Sequence, residues 1–303
     1  MLWQDDKKSS ATQLIVGLAI TGVVGAAELA RRLFRRSRLF CPSDQPLISW
    51  NPADYGLDPD RVDEVYLQTA DGETLHGWYC RAEEPIASAL YCHGNTGNLT
   101  FNAHCFPHLV RRGISVFTFD YRGYGRSSGR PSVRGVIRDA VTAARWHAEH
   151  RPEGTPALAY GFSLGGAIAA QLVRIHDFDA MILQSTFTSL PEIARAAFPR
   201  FPVHIISGND FDTLGVVREL EIPLLVIHGA SDEAIPCSMA STLYESCPVS
   251  RGLEIVQGGA HKNLFEVAPD RIGDRIHTFV RQLISAENKS GVLAASTLDL
   301  EAS

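Results

Sequence analysis

One short stretch, Gly161-Phe162-Ser163-Leu164-Gly165, limits what this chain can fold into more than any other. An apolar, β-prone segment, Ala157 to Tyr160, runs into it, and a small-residue helical segment, Gly166 to Ile175, runs out of it. A serine on such a strand-to-helix turn is forced into a strained backbone conformation. The glycines two before and two after it, Gly161 and Gly165, keep side chains from colliding at the bend. The hydroxyl of Ser163 is then displayed above a sheet, at the positive end of a helix. This is where a nucleophile is expected.

A turn of this kind carries chemistry only with partners, and three lie in suitable order. Upstream, the apolar strand Ser88 to Cys92 runs into His93-Gly94-Asn95-Thr96-Gly97-Asn98. A strand ending in a polar, glycine-rich loop frees backbone N–H groups to face a developing oxyanion, so the N–H groups of Asn95 and Leu164 are the candidates, with Gly94 as a loop glycine. Downstream, Pro223 to Ile227 leads into His228-Gly229-Ala230-Ser231-Asp232, which puts Asp232 just past a strand's carboxyl end. The strand Leu253 to Gln257 ends in Gly258-Gly259-Ala260-His261, from which His261 is placed to reach Ser163. Glu233 is adjacent to Asp232 and Asp120 also ends a strand. Asp120 precedes the nucleophile, however, and is expected to brace a loop.

The order Ser…Asp…His is the one used by α/β-hydrolases, and the chain resembles serine hydrolases of that superfamily. Within it, the chain is similar to a compact, membrane-anchored subgroup with a His-Gly-Asn-x-Gly-Asn oxyanion loop. Two further motifs of that subgroup match. One is Asp120-Tyr121-Arg122-Gly123-Tyr124-Gly125-Arg126-Ser127-Ser128-Gly129; the other is His228-Gly229 with Asp232 and Ile235-Pro236. The resemblance covers about residues 40 to 286. It implies an α/β-hydrolase fold with a minimal lid, and a Ser163–Asp232–His261 triad that cleaves carboxylic esters or thioesters through an acyl-enzyme, with no metal or cofactor. It leaves open aminopeptidase activity and the small-molecule or lipidic acyl substrate.

Strands are expected at 62–68 and 74–81, a hairpin around Asp71-Gly72. More follow near 88–92, 114–120, 156–162, 180–184, 223–228 and 253–257. Helices fit near 101–112, 133–149, 164–175, 239–245 and 264–284. The alternation predicts an α/β domain with a mostly parallel eight-stranded sheet, helices on both faces and an antiparallel start. The stretch Ser185 to Glu221, where a lid is expected, is short and carries Phe187, Phe198, Phe201, Ile205 and Ile206. It predicts a shallow pocket for short to medium acyl chains.

The 303 residues suit one catalytic domain with appendages, and 45% apolar content is ample for a core. A net charge of −6 argues against a nucleic-acid partner. The six cysteines include no C-x-x-C pair, and Cys80 and Cys92 fall within apolar strands as small buried residues. His104 and His108 have i, i+4 spacing but no carboxylate between them, so no metal site is expected. The glycine-rich run from Gly123 to Gly129 does not open directly into a helix, which counts against a nucleotide-binding oxidoreductase. A catalytically silent scaffold is the other rival, and it is disfavoured because no triad position is missing.

The amino terminus suggests an address. Residues 9–27 carry no charge and are mostly apolar, near the length needed to cross a bilayer. A cleaved signal peptide has a similar look, but the preceding Asp5, Asp6, Lys7 and Lys8 are not clearly positive. Arg31, Arg32, Arg35, Arg36 and Arg38 follow the run, which predicts an uncleaved single-pass anchor with the catalytic domain in the cytoplasm. The expected organisation is therefore 1–39, anchor and basic flank; 40–286, catalytic domain; and 287–303, a polar, small-residue tail read as disordered.

Overall fold

The computed structural model describes residues 39–197 and 211–301, with side chains described as far as 286. The expected anchor at 9–27, its arginine flank and residues 198–210 of the lid stretch lie outside the described residues. Eight strands form one sheet: β1 Val62–Gln68, β2 Thr74–Cys80, β3 Ala87–Cys92, β4 Ile114–Phe119, β5 Ala157–Phe162, β6 Ala180–Gln184, β7 Leu224–Gly229 and β8 Ser250–Val256. Their order across the sheet is β1-β2-β4-β3-β5-β6-β7-β8. The β1–β2 and β2–β4 pairs are antiparallel; every other pair is parallel.

Strands β3 to β7 are buried along their whole length because both faces of the sheet are covered. Side chains alternate between two cores, as the period of two requires. Leu90 and Cys92 of β3 face one core, with Phe117 and Phe119 of β4, Met181 and Leu183 of β6, and Leu224 and Val226 of β7. Ala89 and Tyr91 face the other, with Leu158 and Tyr160 of β5, and Leu225 and Ile227 of β7. Among the described residues, eight helices accompany the sheet: α1 Phe106–Val110, α2 Val133–His150, α3 Leu164–Leu172, α4 Leu190–Ala197, α5 Thr213–Arg218, α6 Cys237–Ser246, α7 Leu264–Val267 and α8 Pro269–Glu301. Helices α2, α3, α5 and α6 contribute to the first core; α1, α7 and α8 cover the second.

Helix α8 illustrates how local sequence sets these contacts. Ile272, Ile276, Phe279, Val280 and Leu283 recur at helical spacing and are all buried on the second core. Each such side chain stabilises the fold by roughly 1.5–3 kcal/mol. The single helix expected over 264–284 is broken at Ala268, which has φ −143° and ψ 55°. Pro269 excludes the helical conformation from the residue before it. At its far end α8 continues to Glu301, past the boundary at 286 drawn from composition. Edge strand β1 buries only Val65 and Leu67 and shows solvent Asp63, Glu64 and Gln68, which suits an unpaired edge.

The chain crosses from β3 to β4 on one side and returns to β5 on the other, so the direction of winding reverses between β3 and β5. Crevices form at the carboxyl ends of strands at such a point. Cys92 of β3 lies level with Gly161 of β5, and Phe162 with Gln184 of β6. The loops after β3, β5, β7 and β8 therefore emerge along one rim.

Candidate active site

Ser163 sits immediately after β5 and caps α3 with φ 55° and ψ −119°, a conformation non-glycine residues adopt at a cost of about 1–3 kcal/mol. The space around it explains its neighbours. A Cβ at Gly161 would lie 2.3 Å from Gly166 Cα, and one at Gly165 would lie 1.9 Å from the Cys92 carbonyl oxygen. The Ser163 N–H donates to the Gln184 carbonyl at 2.9 Å, which ties the turn to β6. Gly94 packs against the Phe162 ring, where a Cβ would approach to 3.1 Å.

Asp232, on the loop after β7, and His261, on the loop after β8, meet Ser163 in one chain of hydrogen bonds. His261 Nε2 lies 3.0 Å from Ser163 Oγ, and His261 Nδ1 lies 2.8 Å from Asp232 Oδ2. Asp232 Oδ1 accepts the N–H groups of Ala234 (2.9 Å) and Ile235 (2.8 Å). The imidazole is thus oriented from one end by a carboxylate and offers its other nitrogen to the serine. Glu233 is exposed and belongs to no part of this chain.

A second histidine, whose partner the sequence did not reveal, supports the carboxylate. His228 Nε2 donates to the Ile235 carbonyl at 3.0 Å and lies 3.2 Å from Asp232 Oδ2. The carboxyl side chain of Asp232 is fully buried. Burial opposes its ionisation, but hydrogen bonds from His228, His261 and the Ile235 N–H outweigh that and hold it well below the usual carboxylate range. The motif His228-Gly229 was visible in the sequence; that His228 turns back onto Asp232 was not.

The loop after β3 is fixed from several sides. Tyr121 donates to the His93 carbonyl and Tyr124 to the Asn95 carbonyl, each at 2.9 Å. Cys41 N–H also donates to the Asn95 carbonyl at 2.9 Å, so the first described segment lies along this loop. Asn98 Nδ2 donates to the carbonyls of Ser43 (3.1 Å) and Gln45 (2.8 Å). Asp120 is a brace, as expected: Oδ1 accepts the Leu99 N–H at 2.6 Å and lies 3.5 Å from His93 Nε2. Burial pulls the His93 imidazole toward its neutral form. Among the described residues, the N–H groups of Asn95 and Leu164 make no hydrogen bond within the protein, and both residues flank Ser163.

A recess of about 40 Å³ opens beside Ser163. Tyr91, Phe101 and Phe162 line it, with Asn102, His104, Gln184, His261 and Lys262. His104 therefore faces this recess. His108, its i, i+4 neighbour, stacks on Phe265 instead, with ring centroids 5.7 Å apart. No group of three metal-ligating side chains occurs among the described residues.

Comparison with known proteins agrees with this architecture. A family model described as "Serine aminopeptidase, S33" matches residues 83–208. The uncharacterized protein YfhR of Escherichia coli K12 is 33% identical over 233 residues, 73% of this chain and 79% of its own length. Zebrafish (Danio rerio) lysophosphatidylserine lipase ABHD12 is 33% identical over 270 residues, 76% of this chain and 68% of that one. Among solved structures, the Pyrococcus furiosus esterase Pf2001 superposes with a TM-score of 0.65 at 20% identity, covering 81% of this chain and 98% of the esterase. With its sheet order, its strained serine turn and these relatives, the chain belongs to the α/β-hydrolase superfamily.

Proposed function

We propose that the protein is a serine hydrolase that cleaves carboxylic esters or thioesters through an acyl-enzyme. The observation that carries this reading is the hydrogen-bonded chain from Asp232 through His261 to Ser163, set at a strained turn. As Ser163 Oγ bonds to the carbonyl carbon, its proton passes to His261 Nε2. Asp232 holds the Nδ1–H tautomer and stabilises the imidazolium. The N–H groups of Leu164 and Asn95 receive the oxyanion, and the N-terminus of α3 adds favourable potential. Collapse expels the alcohol or thiol with the proton from His261. Water, deprotonated by the same nitrogen, then releases the acid and restores Ser163.

The small recess favours short acyl chains. An aminopeptidase reading, prompted by the wording of the family match, meets an electrostatic objection. An α-ammonium group needs a carboxylate partner, whereas among the described residues none that lines the recess is acidic and Lys262 stands at its rim. The silent-scaffold reading is disfavoured by the complete Ser163–His261–Asp232 chain. The test is labelling by a fluorophosphonate probe of the intact protein and of Ser163→Ala. Labelling of the wild type that disappears in the variant is expected. A folded wild type that does not react overturns the enzymatic reading.

We also propose residues 9–27 as a membrane anchor, with the arginines from Arg31 to Arg38 on the cytoplasmic side. No helix among the described residues is long and apolar enough to cross a membrane. Retention in the membrane pellet after alkaline carbonate extraction is the expected result; release into the supernatant refutes the anchor.

A further inference from the structure

The recess beside Ser163 contains two side-chain amides that are only half engaged. Gln184 is 4% exposed; its Oε1 accepts the Tyr160 hydroxyl at 2.6 Å, and its Nε2 makes no hydrogen bond among the described residues. Asn102 is 6% exposed; its Oδ1 lies 3.4 Å from the Tyr91 hydroxyl, and its Nδ2 likewise has no partner among them. Both residues line the recess. An all-hydrocarbon occupant would seal these two nitrogens from solvent without supplying an acceptor, which costs about 1–3 kcal/mol for each. The backbone carbonyl of Gln184 holds the Ser163 N–H, which fixes this amide close to the reacting atoms. Lys262 adds a positive rim.

Size limits the occupant further. At about 10–15 Å³ for each water-sized group, a recess of this volume takes roughly three or four. We propose that the acyl group it selects is short and carries its own oxygen: a hydroxy- or oxoacyl chain of about four carbons, with Gln184 and Asn102 as the residues that set this preference. This rests on the serine-hydrolase reading and adds the substrate class to it.

The experiment compares the p-nitrophenyl esters of 3-hydroxybutyric and 3-methylbutyric acid, which differ by a hydroxyl in place of a methyl. Each kcat/KM is normalised to the ester's own alkaline hydrolysis rate, and the protein batch is first shown to react with the fluorophosphonate at Ser163. A preference for the hydroxy ester of at least about tenfold is expected, below the 10⁴–10⁵ of sites that enclose a substrate hydroxyl. Gln184→Met should bring the ratio close to one. Tyr160→Phe leaves the recess residues in place but frees the amide, and should lower the ratio less. A ratio of one or below in a protein whose Ser163 is labelled overturns this inference alone, as does failure to turn over either ester. A ratio unchanged in folded Gln184→Met overturns the role of Gln184. Absence of labelling overturns the serine-hydrolase reading, and this inference with it.

Discussion

Replacing Asp232 with asparagine tests the proposed chemistry at its most informative point. The carboxylate accepts from four directions: His261 Nδ1, His228 Nε2, and the N–H groups of Ala234 and Ile235. Asparagine has one acceptor oxygen. The two backbone donors, at 2.9 and 2.8 Å, retain it, and the new NH₂ then faces His261. The imidazole answers by accepting at Nδ1 and carrying its proton on Nε2, which points at Ser163 Oγ. A protonated Nε2 cannot take the serine's proton. A loss of about 10⁴ in kcat is expected, the magnitude found when a triad aspartate elsewhere is changed to asparagine, or about 5.5 kcal/mol of transition-state stabilisation. Steady-state hydrolysis of p-nitrophenyl acetate, beside a thermal melt, reads this directly. Glu233→Gln is the control, because Glu233 is exposed and touches none of these groups. A loss below about tenfold in a folded Asp232→Asn protein, or an equal loss in Glu233→Gln, refutes the assignment.

Three further expectations concern the scaffold. Gly165→Ala places a Cβ 1.9 Å from the Cys92 carbonyl, a backbone atom that cannot swing aside, so α3 must move off β3. A loss of at least about 1–3 kcal/mol is expected in denaturant unfolding, and an unchanged midpoint contradicts the packing. Asn98→Ala removes two donors to the 43–45 segment and the acceptor for the Thr100 N–H, and should cost about 1–2 kcal/mol by the same assay. His147 is buried against Ser88 Oγ at 2.8 Å, and burial pushes its pKa down to about 3. The unfolded chain binds that proton near pH 6.5 while the folded protein refuses it. Stability is therefore complete above pH 6.5 and falls by up to about 1.4 kcal/mol per pH unit below it, toward pH 3. His147→Leu should flatten that slope; an identical slope in the variant excludes His147 as its source.

What was legible in the sequence and what was not follow from one physical distinction. Ser163, Asp232 and His261 sit just past strand ends, and the pattern of buried β-runs located those ends to within a few residues. Their meeting then requires only that β5, β7 and β8 be parallel, which alternation with helices already implies. Helix α1 escaped: an unbroken helix over 101–112 was expected, but two 3₁₀ turns, Leu99–Phe101 and Ala103–Cys105, precede the short Phe106–Val110. Asn98 starts the first of these turns by capping Thr100, and Pro107 lies at the N-terminus of α1. These local bonds override the apolar spacing. Recess residues escaped for a different reason. Gln184 reaches Ser163 because Phe162 pairs with Gln184 across β5 and β6, and Asn102 enters from the turns after β3. No motif spacing encodes such a meeting, since it depends on strand register and on which side of β3 the chain next passes. Reaction type therefore lies in positions along the chain, whereas acyl preference lies between segments that only folding brings together. For that reason Gln184 and Asn102 are better probes of the proposed substrate choice than any residue of the motifs that pointed to Ser163, Asp232 and His261.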